Sequence, residues 1–386
     1  MNEKTYFIAA YIIFFALAIV FSTLINGLFL RFSRTLGIRQ TSDENIIRWA
    51  STEKPSMGGF SFFIIFLISV SGYAIINSGG QEYLNKQLIG ILLSGTLGFL
   101  VGLADDSYDT NPLLKFAGQF ICAVILISTD IYIHISGMFL IDAAFTIFWV
   151  TGIMNSINML DNMDGITAST SLSIFGTCLL TLIFQGLFIS TYSFILIGLL
   201  GAILGFLYFN VHPSKMYMGD TGSQFLGVLL SSMSILLLWN FRDSESGNIE
   251  LKQILIPLFA FAVPIIDTTT VAIRRLARGQ SPFVGGKDHT THHLAYLGFS
   301  DRAVMFILFG VSVFCSLIAC ILINNFNKIN LMHTGLLLFF FFALFLSIQF
   351  LYDRGKRKHE GKLNTSEGRK QAVAAGKTSS NTEQAV

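Results

Sequence analysis

The sequence predicts an all-α protein that crosses a membrane many times. Three observations carry that expectation. Apolar residues make up 53% of the 386 and include 38 Phe, whereas charged residues are only 12%; soluble domains carry about 25% charge. Apolar runs of about 20 residues, the length that crosses about 30 Å of hydrocarbon, recur along the whole chain. Basic residues gather in alternate loops.

The runs lie near 5–30, 57–77, 87–104, 113–128, 142–160, 165–185, 192–209, 221–240, 253–272, 303–323 and 333–352. That is about 11 spans, with 10 still allowed. The stretch 129–141, containing Thr129-Asp130-Ile131-Tyr132-Ile133-His134, reads as a loop or a shallow re-entrant segment. The first run follows no basic segment and has no small-residue cleavage site, so it reads as a retained anchor. Cys122, Cys178, Cys315 and Cys320 all fall inside apolar runs. They read as small core residues without disulfide or metal spacing.

Nineteen of the 25 basic residues fall in alternate turns, beginning with 31–56, and in the tail, against five on the other side. Arg31, Arg34, Arg39, Arg48 and Lys54 lie in the first of these turns, and Arg274, Arg275, Arg278, Lys287 and Arg302 in the last. The positive-inside rule puts that side in the cytoplasm, the N-terminus outside and the C-terminus inside. The net charge of +2 is therefore a topology signal and implies no nucleic-acid partner. Residues 1–352 form the expected membrane unit. Residues 353–386, rich in Lys, Arg, Ser, Gly and Ala, read as a disordered basic cytoplasmic tail.

The polar clusters that interrupt the hydrocarbon all fall on the basic side. An ionisable group at mid-bilayer costs about 2.5–3.5 kcal/mol on insertion scales, so such groups gather where something polar binds. Helix caps alone would scatter over both faces. Asp105-Asp106-x-x-Asp109 places adjacent carboxylates at a helix end, where they repel unless a cation or a shared proton intervenes. Lys115 and Gln119, one turn apart on the next helix, are placed to face them. A solvated turn, or the magnesium–diphosphate motif of isoprenoid enzymes, are the competing readings.

Asn155, Asn158 and Asn162 recur close to one helix face, whereas Asp161 and Asp164 drift off it. The helix is therefore expected to end near Asp161 and turn through Asn162-Met163-Asp164-Gly165. Amides and carboxylates there suit a nucleobase, a ribose or a sugar amide; calcium-loop spacing is missing. Tyr217-Met218-Gly219-Asp220-Thr221-Gly222-Ser223 opens a helix whose N–H groups suit phosphate oxygens, and Asp220 suits magnesium. An ordinary N-cap is the plain alternative. His289, His292 and His293 share a helical face beside Arg274, Arg275, Arg278 and Lys287, which suits phosphate better than zinc. Lys54-Pro55-Ser56-Met57-Gly58-Gly59 adds another glycine-rich helix start with a cation. Asp267, inside an apolar run, is expected to pair with Arg274 or Arg275, with a catalytic role as the alternative.

Together these elements resemble the polyprenyl-phosphate N-acetylhexosamine-1-phosphate transferases, in the family's motif order from about Lys54 to Asp301. The family includes the undecaprenyl-phosphate GlcNAc-1-phosphate transferases, whose branch the span count also resembles, and the phospho-MurNAc-pentapeptide translocase. Asn162 stands where many members carry Gly. The segment Asp288-His289-Thr290-Thr291-His292-His293 lacks the translocase's three consecutive histidines, and the first loop lacks a histidine common in the polysaccharide branch.

The resemblance implies a bacterial inner-membrane enzyme with its site on the cytoplasmic face. It would transfer N-acetylhexosamine-1-phosphate, GlcNAc-1-phosphate first among the choices, from a UDP-sugar to undecaprenyl phosphate, releasing UMP. It implies Mg²⁺, or Mn²⁺ in its place, on Asp220; lipid-phosphate activation by Asp105, Asp106 and Lys115; and substrate contacts from Lys54, Ser56, Asn155, Asn158, Asp161, Asp164, His289, His292 and His293. Membrane lipid and a second copy of the chain are further expected partners. The pentapeptide transferase is the alternative. A UbiA-like prenyltransferase would need a second aspartate-rich motif, and a secondary transporter would need midplane polar residues and repeat symmetry.

Overall fold

The computed structural model describes residues 3–36, 54–76, 85–241, 250–281, 286 and 288–382, with no side chains described for Glu3, Lys4, Arg34–Leu36, Ala74 and 362–382. Thirteen α-helices form its regular structure: α1 Glu3–Leu36, α2 Gly58–Ile76, α3 Lys86–Tyr108, α4 Pro112–Ser128, α5 Phe139–Leu160, α6 Ile166–Phe184, α7 Thr191–Asn210, α8 Gly219–Ser234, α9 Leu251–Ala260, α10 Ala262–Leu276, α11 Thr290–Leu297, α12 Asp301–Asn324 and α13 Leu331–Thr382. No strand occurs among the described residues; a single parallel bridge joins Ser56 to Tyr217. Every one of the apolar runs is helical, and the stretch after α4 is a non-helical loop as expected.

Eight of the described helices are long and apolar enough to cross a membrane, or nine if α9 and α10 count as one broken span, and α2 and α4 are shorter apolar helices. The apolar surface faces outward on the peripheral helices. Only 17% of the α1 window is buried, against 94% for α8 with its continuation to Trp239. Ile12, Leu24 and Leu28 of α1 are exposed, as lipid-facing residues are, whereas α8 is sheathed on all sides and forms the axis of the bundle.

The run 253–272 is not one straight span, because α9 and α10 meet at 84°. Pro264, without an N–H, leaves the Ala260 carbonyl without its helical donor and its ring crowds that carbonyl. The break at Phe261 follows. Ser156 of α5 donates to the Pro264 carbonyl at 2.9 Å, and Thr268 donates to Ser156 at 2.7 Å, pinning the redirected α10. At the chain's end α13 continues helically from the apolar run through residue 353 to Thr382.

Close backbone approach sets the site's frame. A Cβ on Gly102 of α3 would lie 2.2 Å from the Asp220 carbonyl oxygen, and one on Gly59 of α2 would lie 2.4 Å from the Gly222 nitrogen. Larger residues would push α2 and α3 off the start of α8. The segment before α2 is stitched to the same place: Gly58 and Gly59 donate to the carbonyls of Tyr217 and Met218 at 3.1 Å, and Tyr217 donates to Pro55 at 2.9 Å.

Candidate active site

Four helix ends meet where α3 finishes, α4 and α8 begin and α5 runs out. The Lys115 ammonium of α4 sits among them. It donates to Asp105 of α3 at 2.6 Å, to Asn158 of α5 at 3.1 Å and to Asp220 of α8 at 3.3 Å. The Asn158 amide also donates to Asp220 and, at 2.9 Å, to Ser223. Asp105 accepts in addition from the Thr110 backbone at 3.0 Å and from its hydroxyl. The sequence-based pairing of Lys115 with the acids holds. Gln119 lies a layer deeper, exchanging hydrogen bonds with Asn155 at 3.1 and 2.7 Å and donating to Gln224 at 3.0 Å.

Asp106 behaves differently from its neighbour. Its carboxylate accepts from the backbone N–H groups of Asp220 and Thr221 at 2.9 and 2.8 Å and from the Thr221 hydroxyl. It caps α8 from outside the helix. The N–H groups of 220 and 221, expected to be free for phosphate, are therefore already satisfied, because a carboxylate meets the same dipole that a phosphate would.

The α5–α6 turn falls where the asparagine periodicity put it, with Asp161 as the last cap and Gly165 in the left-handed region at φ 76°. Burial, with the carboxylates of Asp220, Asp106 and Asp164 nearby, pushes Asp161 up to about 8. Asp164 is an internal anchor: it accepts from His212 at 3.0 Å and from the Ser214 backbone and hydroxyl at 3.0 and 2.7 Å. Lys54 completes this knot, 2.9 Å from the Ser214 hydroxyl and 3.8 Å from Asp164, and lies over the Tyr217 ring. Ser56 forms the bridge to Tyr217. His212 and Ser214 escaped sequence reasoning; their only signal is a His-Pro-Ser turn on the same side as the motifs.

The histidine segment is built by other contacts. His289 caps α11 and its Nδ1 lies 2.9 Å from Asp267, which also accepts from the Thr290 N–H at 2.8 Å. Asp267 thus pairs with His289, correcting the expected arginine partner. Arg275 instead grips Asp288 through two bonds at 2.9 and 2.6 Å, and Arg274 pairs with Asp353 at 2.8 Å. The three histidines do not act as one face: the His292 ring accepts from the His289 N–H, whereas His293 lies against Tyr352 with centroids 3.7 Å apart. Burial first, then the neighbouring His289, pushes His292 down to about 3; burial and Arg274 push His293 to about 4. Both rings are neutral near pH 7, so they offer phosphate hydrogen bonds and no charge. Asn162 reaches this segment by accepting from Thr291 at 2.6 Å. Arg39, Arg48 and Lys287 lie outside the described residues.

A divalent cation fits the acidic end. Asp105 and Asp220 flank one ammonium, with the Asp106 carboxylate against the start of the same helix as Asp220, so a single lysine faces more than one carboxylate. Among the described residues no three His, Cys, Asp or Glu side chains converge as a complete metal cage. Magnesium does not require one, because it binds through one or two carboxylates plus substrate phosphates and water.

A model described as "Glycosyl transferase family 4" matches residues 88–238, the segment that carries Asp105 through Ser223. The "Probable undecaprenyl-phosphate N-acetylglucosaminyl 1-phosphate transferase" of Bacillus subtilis (strain 168) is 30% identical over 278 residues, 69% of this chain and 73% of that protein. The decaprenyl-phosphate N-acetylglucosaminephosphotransferase of Mycobacterium tuberculosis (strain H37Rv) is 28% identical over 67% of this chain and 69% of that protein. The phospho-N-acetylmuramoyl-pentapeptide-transferase of Oceanobacillus iheyensis is 31% identical over 75% of this chain and 90% of its own length. With its acidic motifs assembled inside the matched segment, the chain belongs to glycosyl transferase family 4.

Proposed function

We propose that this membrane enzyme transfers GlcNAc-1-phosphate from UDP-GlcNAc to undecaprenyl phosphate, giving undecaprenyl-diphosphate-GlcNAc and UMP. The observation that carries the reading is the Lys115 ammonium shared by Asp105, Asn158 and Asp220 from three other helices. A phosphate-transfer site needs positioned charge of both signs at a helix mouth, and little covalent chemistry from the protein. The named activities of the relatives support the same choice.

In this reaction an oxygen of the lipid phosphate forms a bond to the β-phosphorus of the donor, and the bond from that phosphorus to the bridging oxygen breaks as UMP leaves. No obligatory protein base is required, since a phosphate monoester with a second pKa near 6 is mostly dianionic at pH 7. Lys115 neutralises charge on the entering phosphate while Asp105 holds the ammonium in place. Asp220, with Asp105 beside it, would hold Mg²⁺, or Mn²⁺ in its place, which supplies charge neutralisation to the diphosphate when bound. Asn158 and Asp161 serve the nucleoside and sugar, with Asn155 setting the register of Asn158. Asp106, Asp164, Lys54 and Ser56 fix the loops that frame the donor. His289 and His292 lie on the phosphate or sugar side, and His293 supports their helix.

The site is assigned to the cytoplasmic side of the bacterial inner membrane, where nucleotide sugars are found, with 11 spans, the N-terminus outside and the C-terminus inside. Purified enzyme should release UMP from UDP-GlcNAc only when undecaprenyl phosphate and Mg²⁺ are both present. Release from UDP-MurNAc-pentapeptide instead would move the protein to the peptidoglycan branch. No UMP from either donor would refute the reading.

A further inference from the structure

The last helix does not simply leave the membrane after its apolar run. Between Gln349 and His359 it lies along α10 and α11, the helices that carry Asp267 and the histidines. Tyr352 packs on the His293 ring, and the Arg274 guanidinium covers the Tyr352 ring at 4.1 Å. Arg274 also bonds Gln349 at 3.1 Å and Asp353 at 2.8 Å, so one side chain of α10 holds three positions of α13. Gln349 donates to Thr270. Farther along, Lys358 donates to the Leu297 carbonyl at 2.6 Å and His359 stacks on Tyr296 with centroids 3.9 Å apart and planes 11° off parallel. Between these contacts the backbones touch: a Cβ on Gly355 would lie 2.1 Å from the His293 carbonyl oxygen.

We propose that residues Gln349–His359 of α13 are a clamp that positions the histidine helix against the donor, with Tyr352 and Gly355 as its positioning residues. α11 has only eight residues, too short to be stable in isolation, so its place depends on what it docks against. Asp267 and Asn162 hold its start, through His289, Thr290 and Thr291. Its second half is held by α13, through His293, Tyr296 and Leu297. Tyr352 is almost wholly buried, at 1% exposure, although it follows directly on the lipid-facing part of its helix. Aromatic packing with a guanidinium over the ring favours a fixed geometry. None of these residues touches the acidic cluster, so the clamp acts through α11.

The inference rests on the transferase reading for its kinetic arm only. The test uses full-length purified Gly355→Ala, Tyr352→Ala and Tyr352→Phe. Helix propensity favours alanine over glycine, so a loss in Gly355→Ala reports the wedge against His293 and not a weakened α13. Gly355→Ala and Tyr352→Ala should raise the KM for UDP-GlcNAc at least tenfold, leave the KM for undecaprenyl phosphate within twofold, and speed hydrogen exchange at amides 290–297. Tyr352→Phe, which keeps the ring, should restore both readouts. An unchanged donor KM in Gly355→Ala, or equal rises in both KM values, would overturn the clamp. Should the wild-type protein release no UMP, the functional reading fails and exchange alone decides the clamp. Faster exchange at 290–297 in Gly355→Ala or Tyr352→Ala then sustains it, and unchanged exchange in both refutes it.

Discussion

The acidic end and the histidine end of this site are built on different principles. At the acidic end, two carboxylates from α3 and α8 and an amide from α5 converge on the one ammonium of α4, against the buried axis helix α8. At the histidine end a short helix is suspended between a carboxylate of α10 and the last helix of the chain. The first arrangement fixes reacting charge rigidly, because moving one member would strand the others in a poorly solvated place. The second sets the position of one wall through contacts that are individually weaker. Substitutions at the acidic end should therefore remove turnover, and those at the histidine end should alter how the donor is held.

The largest effect should come from Asp220→Asn. This change keeps shape and removes a carboxylate that faces Lys115, so turnover should fall about a thousandfold, or roughly 4 kcal/mol in barrier, with expression and insertion near normal. Full activity of the purified variant at limiting Mg²⁺ would move the metal role elsewhere. Lys115→Met should come next, with kcat lower by about a hundredfold, equivalent to roughly 2.7 kcal/mol. The donor's affinity should survive better than its turnover. A kcat within about tenfold of wild type, 1.4 kcal/mol, would make the ammonium a structural counter-ion only.

Asp164→Ala tests the frame between the two ends. It would strip acceptors from His212 and Ser214, and leaving such groups unsatisfied costs about 1–3 kcal/mol. A lower melting temperature in detergent with kcat changed less than in Lys115→Met is the expected result. The reverse pattern, full stability with lost turnover, would turn Asp164 into a substrate contact.

The smallest effect is a pH dependence of the histidine end. His292 and His293 sit below their ordinary value when folded, near 3 and 4, whereas an unfolded histidine titrates near 6.5. The unfolded chain therefore binds more protons between those values, and stability must fall as pH drops below about 6.5. Protection factors at amides 290–297, corrected for the intrinsic exchange rate at each pH, should fall between pH 7 and 5 while those of α8 stay unchanged. Equal loosening of both regions would dissolve the distinction.

Much of the acidic end was legible in the sequence because its members lie in short motifs at helix ends, where spacing alone sets direction. The asparagine period located the α5–α6 turn, and the gap from Asp105 to Lys115 spanned a tight loop between neighbouring helices. The partners of Asp106 and Asp164 were not legible, since both reach backbone groups on segments separated by 114 and 50 residues. The bend at Phe261 was masked by an unbroken apolar run, although Pro264 carried its cause. Hidden most deeply was the dock of α13 on α11. A Lys- and Arg-rich stretch reads as solvated, and nothing local announces that Tyr352 will pack on a histidine 59 positions earlier.

The central claim is that the bond broken lies between the two phosphates of the donor. UDP-GlcNAc carrying radiolabel only in its β-phosphate, incubated with purified enzyme, undecaprenyl phosphate and Mg²⁺, tests it directly. The account predicts that the label passes into the lipid fraction in step with unlabelled UMP, and that Asp220→Asn leaves it in the donor. Label recovered as UDP, with only the sugar transferred, would contradict it.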